Sequence, residues 1–410
     1  MKRVAWFAKF ILRPFPHGLV HWRYLLPGQP RSVRIHQNLW RQGQPHLPSP
    51  LRWIIEAWLY SRWTLCGAWL STWRGVRYFG VDVRSREGIS ISRQTWRVLR
   101  LSLATCLPAS AIYKFRLYRD PRQVWDYVYT HELPAFHHWR SKALGERPES
   151  IVLLQDKFQL GEHLRAQGIP LVETLAVLAP DQLIDFSPYL DRYPRLFCKP
   201  RHGNGAKDAF FVEKNSNGSS PSIHTFEGEP IPFSSLEKFL RQHLAKDDYL
   251  IQPYLENHTA LATLTESDEA ITIRLITEKT DAQCYSAVIE IPVRSRKQSI
   301  SEQQTYVILP INMESGVIES IPENKLPLKA LAAHQIVTEK IQGTTLPYWK
   351  ELRTAALSAH QLFPDIFAIA WDFVVTPDGP CLLEGNTGWA TAMPQILHGG
   401  LLAPPRAEKR

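Results

Sequence analysis

The stretch "AWDFVVTPDGPCLLEGNTGW", Ala370 to Trp389, decides how the fold is interpreted, because two apolar runs flank a turn in it. The turn "TPDG" has proline at its second position, where a fixed φ is favoured, and Gly379 at its fourth. The stretch therefore predicts an antiparallel hairpin. Asp372 lies in its first run, and Glu384 and Asn386 lie in its second. Because unpaired buried carboxylates are costly, we expect a cation or a donor beside them.

The length of the hairpin loop decides which residues face each other. A plain four-residue turn places Asp372 opposite Leu383, whereas a loop longer by one residue places it opposite Glu384. We expect the longer loop, since Asp372, Glu384 and Asn386 then converge on one face. Three hard oxygen ligands without Cys or His suit magnesium, which completes its shell with waters and phosphate oxygens. The alternative is a polar pair on an exposed sheet face.

A second candidate site is "LFCKPRHGNGAK", residues 196–207, in which Lys199 ends an apolar run. A strand lysine in this place can reach a phosphate as a compact cation. The glycines that follow allow backbone amides to turn inward as an anion-binding nest, although an ordinary hairpin turn is the alternative. The stretch is not a Walker loop, because no GK[ST] opens a helix. Further along, "YLIQPYLENH" (249–258) ends a strand at Pro253, beside which free backbone groups are candidates for pairing with an adenine edge.

The basic charge of the chain is concentrated at its start. The 410 residues carry a net charge of +9, but the first 110 hold 17 Lys/Arg and only 3 Asp/Glu, together with nine of the fourteen tryptophans. Five cysteines stand singly without a CxxC pair, which suits a reducing compartment and argues against disulfides or zinc. The chain is thus a basic, Trp-rich leader followed by a slightly acidic body of two or three subdomains.

The leader raises the question of a membrane. Lys9 and Arg13 interrupt the apolar start, so a secretory signal is not expected. The longest uncharged run nearby, Trp63 to Trp73, is far below the roughly 20 residues that cross a bilayer. Helical spacing puts four apolar residues on one face, an Arg/Trp pattern that suits an anionic membrane interface: Trp58, Leu65, Trp69 and Trp73. The alternative is a helix packed on the body. Nucleic acid is not expected as a partner, since no recognition motif accompanies the charge.

The order of these features resembles that of ATP-grasp enzymes, and it is closest to the sugar-transfer-associated ATP-grasp family. Its elements are a lysine at a helix start, a strand lysine with a glycine-bearing loop, an edge segment, a strand arginine, and then Asp…Glu-x-Asn. The most specific stretch is the helix "LPYWKELRTAALSAHQLFP" leading to "AIAWDFVVTPDGPCLLEGNTGWATAMPQ". The similarity covers roughly Ile112 to Leu402.

The resemblance implies an α+β ATP-grasp fold, in which two α+β lobes clasp ATP, after a mainly helical N-terminal extension. The expected domains are the basic Trp-rich extension, a helical lead-in with the N-terminal subdomain, the lobe with the phosphate loop, the C-terminal lobe with the metal site, and a tail: 1–105, 106–180, 181–255, 256–402 and 403–410.

The resemblance also implies roles for single residues in binding ATP. Lys157 and Lys199 contact the α- and β-phosphates, and Arg274 lies near the γ-phosphate, so that Lys199 and Arg274 take part in catalysis. The flap over the phosphates consists of Gly203, Asn204 and Gly205. The adenine and the ribose are bound by the segment after the edge strand, through Gln252, Tyr254, Leu255, Asn257 and His258. Asp372, Glu384 and Asn386 hold one or two magnesium ions, with manganese as the alternative ion.

The function that follows is a MgATP-dependent ligase that activates a carboxylate as an acyl phosphate for attack by an amine or another nucleophile. The family points to cell-surface sugars or polysaccharide, and Arg294 and Arg296 are candidates for receiving an acidic substrate. We expect the protein in the cytoplasm, and the alternatives for residues 1–105 are peripheral contact with the inner face of the membrane or packing on the body. One alternative is a kinase that phosphorylates a hydroxyl, and another is a non-catalytic, membrane-peripheral scaffold that binds ATP.

Overall fold

The structure of the 410-residue chain is a computed structural model, and parts of the chain lie outside its described residues. It describes residues 13–44, 48–179, 185–203, 208–215, 220–226, 228–232, 234–236, 238–239, 247–265, 269–279, 283–292, 306–322, 325, 337, 340–341 and 343–403. The chain forms two compact units. The helical unit comprises Met1–Ala143, Ile321–Ala332 and Ala390–Arg410, and the two-sheet unit comprises Leu144–Ser320 and Ala333–Trp389. The five domains expected from the sequence stay a prediction.

The α-helices of the described residues are numbered here in chain order. They are α1 (Arg31–Gln42), α2 (Ser49–Arg62), α3 (Ala68–Glu87), α4 (Ile91–Thr105), α5 (Ala109–Lys114), α6 (Leu133–Lys142), α7 (Pro148–Gln155), α8 (Lys157–Arg165), α9 (Ser187–Leu190), α10 (Thr259–Ala262), α11 (Trp349–Gln361) and α12 (Ala392–His398). In the part of the chain that the structure covers, no helix combines the length and the apolar character needed to cross a bilayer.

The helical unit is organised by one long helical segment. The π-helical turn Trp63–Gly67 joins α2 to α3 without a break in helical backbone geometry, and Gly88, at φ +67°, ends α3. Trp63 is fully buried and donates its indole N–H to the carbonyl of Ser102 (3.0 Å). Gly75 brings α3 against α5, because a Cβ there would lie 2.5 Å from that of Ala109. The helical N-terminal region predicted from the sequence is confirmed.

The two-sheet unit contains two five-stranded sheets in which every strand pairing is antiparallel. The first sheet has the order β1-β5-β2-β3-β4 and the second has the order β10-β9-β6-β7-β8. The strands are β1 (Ala176–Leu178), β2 (Arg195–Pro200), β3 (Phe210–Glu213), β4 (Ser222–Thr225), β5 (Tyr249–Pro253), β6 (Thr272–Glu278), β7 (Gln283–Pro292), β8 (Tyr306–Pro310), β9 (Ala368–Thr376) and β10 (Gly379–Asn386). Antiparallel sheets with segregated helices confirm the predicted α+β class.

The hairpin of β9 and β10 shows how Asp372 and Glu384 come to face each other. Its turn is the plain four-residue one, with Thr376 paired to Gly379, so the expected longer loop is wrong. The extra residue is instead Leu383, which forms a β-bulge between Leu382 and Glu384. The bulge shifts the register by one, and Glu384 pairs with Asp372 as expected.

The opposite face of the second sheet is packed around Trp371, which is fully buried in β9. Its indole N–H donates to the hydroxyl of Thr277 in β6 (2.9 Å), which also hydrogen-bonds the ring of His360 in α11 (2.7 Å). Gly385 lies opposite Trp371 in the hairpin. A Cβ on Gly385 would lie 2.5 Å from the Trp371 ring and 3.2 Å from Leu154, so packing requires glycine here.

We predict that Gly385→Ala destabilises the protein by about 1–3 kcal/mol, because the added methyl group overpacks a rigid ring and the sheet must shift. The matched control is Gly388→Ala three residues further on, where a Cβ meets nothing within 4 Å. Urea unfolding of the three proteins measures the difference. Equal stabilities for the two variants would contradict this account of Gly385.

Candidate functional site

One cavity of the two-sheet unit gathers most of the predicted site residues. It has a volume of about 400 Å³, within the range of ligand-binding clefts. Nine of the residues predicted from the sequence line it: Lys157, Lys199, Gly203, Gln252, Tyr254, Leu255, Arg274, Asp372 and Glu384. They come from both sheets and from the start of α8, so the fold brings together groups that are more than 200 residues apart in sequence.

An arginine–carboxylate pair lies at the centre of the second sheet. The register of β6 and β9 sets Arg274 opposite Asp372, and the guanidinium donates two hydrogen bonds to the carboxylate (2.7 and 2.9 Å). A second carboxylate, Glu290 in β7, lies 3.3 Å from the same guanidinium. Burial raises the pKa of Asp372 to about 6, while the hydrogen bonds from Arg274 act in the opposite direction. Arg274 is therefore fixed in the cavity by carboxylates rather than directed to solvent.

The three predicted metal ligands converge on one face. Asn386 donates its amide to Glu384 (3.1 Å) and, at 3.5 Å, to Asp372. A half-turn of the amide about its terminal bond presents the oxygen in place of the nitrogen, which gives a set of three oxygen donors. Among the described residues, no three His, Cys, Asp or Glu side chains converge as a metal-binding group. The set fits magnesium, which commonly takes one or two carboxylates and completes its shell with water and phosphate oxygens.

Lys199 presents a buried cation to the cavity. It lies in β2 opposite Leu250, and only 8% of its surface is exposed. Burial lowers the pKa of Lys199 to about 8, an effect that Glu384 opposes and Lys157 reinforces. Within the described ranges the structure records neither a hydrogen bond nor an ion pair for its ammonium group. A buried ammonium group without a partner is unfavourable, and an anionic ligand would satisfy it.

Lys157 is held beside the cavity by a residue that the sequence analysis missed. Arg201 makes two hydrogen bonds to Asp156 (2.8 and 2.6 Å) and a third to Asp248 (3.2 Å). Asp156 is the N-cap of α8 and accepts from two backbone amides of its first turn (3.1 Å each). The Lys157 ammonium donates to the Gly203 carbonyl and lies 3.8 Å from Glu384. Arg201 thus positions Lys157 through the cap.

Aromatic side chains of the first sheet form the apolar wall of the cavity. Phe197, Phe211 and Phe226 line it, and the ring centroids of Phe197 and Phe211 are 5.2 Å apart. Sequence reasoning missed these residues, although the period of two along a strand places Phe197 on the same face as Lys199. Aromatic faces of this kind suit a flat heteroaromatic ring.

Not every predicted residue lines this cavity in the described part of the chain. Asn257 uses its side chain within its own loop, where it donates to the Glu269 carbonyl (2.9 Å) and accepts from the Ile271 amide (2.7 Å). His258 accepts from the Ala260 amide (3.2 Å) at the start of α10. Their predicted place near the ribose stays a prediction. Four further predicted residues lie outside the described residues: Asn204, Gly205, Arg294 and Arg296.

The cations and carboxylates that line this cavity between antiparallel sheets are those that the ATP-grasp resemblance predicts. A family model described as sugar-transfer associated ATP-grasp matches residues 143–408, and the chain belongs to this family. The family and the fold predicted from the sequence are therefore confirmed. The match begins at residue 143, later than the resemblance near Ile112, so the whole leader lies outside it.

Solved structures show weaker similarities. The ATP-grasp ligase PsnB complexed with minimal precursor is 14% identical, over 59% of this chain and 55% of that one, with a TM-score of 0.33. The D-alanine–D-alanine ligase of Bacillus anthracis complexed with ATP is 13% identical, over 61% and 59%, also with a TM-score of 0.33. The chain thus spans little more than half of these proteins, and likeness at this level carries no argument about activity. No curated protein matches the sequence.

We predict that Lys199→Met raises the melting temperature of the protein without nucleotide. A pKa lowered from 10.5 to about 8 corresponds to about 3 kcal/mol of destabilisation by the charged ammonium. Methionine removes that charge and keeps most of the apolar stem. Thermal unfolding near neutral pH measures the effect. A lower melting temperature would show that the ammonium group stabilises the empty site.

We also predict that the stability gap between Lys199→Met and wild type narrows at alkaline pH. The unfolded chain holds the Lys199 proton up to its ordinary pKa of 10.5, whereas the folded protein releases it near pH 8. The unfolded state thus binds more protons between these values, and the free energy of unfolding of the wild type rises with pH there. Urea unfolding of both proteins between about pH 7 and about pH 10 measures the gap, and a constant gap would contradict the prediction.

Proposed function

We propose that this protein is a MgATP-dependent ligase that joins a carboxylate to an amine or another nucleophile. The observation that carries the proposal is one cavity lined by Lys199, Asp372 and Glu384, with Asn386 hydrogen-bonded to Glu384. Lys199 is buried there, and the described residues provide no hydrogen bond or ion pair for its ammonium group. Such a site offers a cation for a polyphosphate and oxygen donors for its metal ion. Family membership supports the same conclusion, since the predicted motif order runs through this cavity.

The proposed nucleotide position follows from the lining of the cavity. The adenine ring lies against the phenylalanine wall, and the backbone of Gln252 to Leu255 pairs with its edge. The triphosphate extends from there towards Lys199 and Lys157, and its γ-phosphate reaches Arg274. The lining of the cavity supports this orientation, because its phenylalanines come from the first sheet and the residue after β4, whereas most of its charged groups come from the second sheet and α8, with Lys199 near the end of β2.

Asp372, Glu384 and Asn386 hold magnesium, as one or two ions, with manganese as the alternative. When bound, the ion neutralises charge on phosphate oxygens, which is most of what phosphoryl transfer requires. Arg274 is already oriented by Asp372 and Glu290, so it stabilises charge on the transferred group without reorganisation. The residues of this chain therefore position and neutralise the reactants, and no covalent bond to a side chain is needed.

The proposed reaction has two steps. A substrate carboxylate oxygen attacks the γ-phosphorus, the bond to the bridging oxygen breaks, and ADP leaves with that bonding pair. An amine then attacks the acyl carbon, phosphate leaves, and the amine loses a proton. The products are an amide, ADP and phosphate. Cationic residues such as Arg274 offset the negative charge of the carboxylate as it approaches the triphosphate.

The proposed setting is the assembly of cell-surface sugars or polysaccharide, as the family description suggests, with Arg294 and Arg296 as candidates for receiving an acidic substrate. The five cysteines are free thiols, which is consistent with a cytoplasmic site of action. The leader would hold the enzyme at the inner face of the membrane, where lipid-linked precursors are assembled.

We predict that MgATP raises the melting temperature of wild-type protein and that Glu384→Gln reduces this rise. A ligand that binds only the folded state adds about 2.7 kcal/mol at about a hundredfold excess over its dissociation constant. The matched control is Glu319→Gln, an exposed carboxylate of the same unit that hydrogen-bonds Asn312 outside the cavity (2.8 Å). A rise that is independent of magnesium, or equal in both variants, would refute the metal site.

The ligase chemistry makes a separate prediction about products. With a candidate carboxylate and a candidate amine or sugar acceptor, ADP and free phosphate are released in equal amounts, and only when both substrates are present. Release of ADP without free phosphate would identify a kinase acting on a hydroxyl group instead. Coupled assays for ADP and for phosphate on the same sample distinguish the two outcomes, with Glu384→Gln as the inactive reference.

A further inference from the structure

The long helical segment Ser49–Glu87 exposes an apolar face to solvent. Six side chains recur along it at steps of four, seven or eight residues, and each is between 49% and 74% exposed: Ile54, Trp58, Leu65, Trp69, Trp73 and Val81. We call this set the Trp face. The α2 part of the segment has no buried residue at all, although half of its residues are apolar. Exposed contiguous apolar surface of this kind marks an interaction site.

The π-helical turn keeps the Trp face on one side of the segment. One extra residue in the turn Trp63–Gly67 offsets the drift that a straight helix accumulates over many turns. The buried residues of the segment recur at steps of one, three, four or five, and they include Trp63, Thr72 and Val83. The segment therefore packs in the helical unit through these residues, and the side chains of the Trp face are exposed.

Arginines accompany the aromatic rings on this segment. The guanidinium of Arg62 lies 5.3 Å from the centre of the Trp58 ring, and that of Arg77 lies 5.6 Å from the centre of the Trp73 ring. The Arg62 guanidinium also donates to the carbonyl of Arg13, whereas Arg77 is exposed beside its ring. The Trp face thus combines apolar rings with cations at their edges.

Two of the three carboxylates of the segment have partners elsewhere in the helical unit. Glu56 turns inward to His17 (2.8 Å), and Glu87 turns inward to Arg116 (2.9 Å) and Tyr118 (2.8 Å). The third carboxylate, Asp82, is half-buried beside Val81. The surface along the Trp face is accordingly basic, and its complement is a surface that is both apolar and anionic.

We infer that the Trp face lies in the headgroup region of an anionic lipid bilayer, with the segment parallel to the membrane plane. Tryptophan rings enter the boundary between headgroups and acyl chains, and the arginines pair with lipid phosphates. This inference deepens the membrane placement of the proposed function, on which it rests, but its residues lie outside the family match and outside the nucleotide cavity.

The test is flotation of the full-length protein with vesicles of phosphatidylcholine, alone or mixed with phosphatidylglycerol. We expect binding to the anionic vesicles only, weakened when salt rises from about 0.1 M to about 1 M and the Debye length falls from about 10 Å to about 3 Å. The triple variant Trp58→Ser, Trp69→Ser, Trp73→Ser is expected to bind the anionic vesicles at least about tenfold more weakly than the wild type does. Wild-type protein that stays with neither vesicle type overturns the inference.

A matched control is Trp96→Ser, which removes a tryptophan that is 67% exposed on α4 and not part of the Trp face. It is expected to bind anionic vesicles as the wild type does, and an equal loss would overturn the assignment of the face. Light scattering tests a second copy of the chain as occupant. A dimer that the triple variant abolishes, without vesicle binding by the wild type, would make the face a subunit interface and overturn the inference.

The nucleotide response separates this inference from the proposed function. The triple variant is expected to keep the MgATP-dependent rise in melting temperature, since that site lies in the other unit. Vesicle binding without any MgATP response would contradict the ligase and leave the membrane face standing. A MgATP response without vesicle binding would support the nucleotide site and overturn the membrane face.

Discussion

The candidate site depends on one irregularity, the extra residue Leu383 in β10. Side chains along a strand alternate between faces, so an unbulged β10 would set Glu384 opposite Trp371, on the packed side of the sheet. The bulge instead sets Glu384 opposite Asp372, with Asn386 following on the same face. The same shift brings Gly385, which has no side chain, against the Trp371 ring. Core packing and assembly of the metal ligands are therefore one constraint, and the Glu-Gly-Asn order satisfies both.

The charges around the cavity are only partly balanced, and this imbalance gives the site its chemistry. Arg274 is paired with Asp372, whereas Lys199 has no recorded partner among the described residues and has a lowered pKa. Groups with strongly shifted pKa values in a cleft are typical of functional sites. At such sites a residue that binds a ligand commonly lowers the stability of the folded protein. The cation of Lys199 is unfavourable without an anionic ligand, and a metal-bound polyphosphate complements both this cation and the neighbouring carboxylates.

The sequence predicted what depends on residue type and order, and it missed what depends on local geometry. The hairpin, the pairing of Asp372 with Glu384 and the lysines around one cavity follow from motif order. The bulge was missed, since an extra residue in the loop and one in the strand give the same pairing beyond them. Arg201 was missed as well, because its role appears only once the N-cap Asp156 lies beside it in space. The phenylalanine wall could have been predicted, since the alternation of side chains along a strand places Phe197 on the same face as Lys199.

The leader obeys a different constraint from the family-matched region. The positive charge of its arginines is not offset by Glu56 and Glu87, because these two carboxylates contact His17 and Arg116 inside the helical unit. Tryptophan rings that are about half exposed are unfavourable in water, and the arginines beside them add positive charge there. A single partner compensates both the exposed rings and the positive charge only if it has an apolar interior and an anionic surface. Because the family match begins at residue 143, this property belongs to the leader of this chain, and ATP-grasp chemistry alone does not require it.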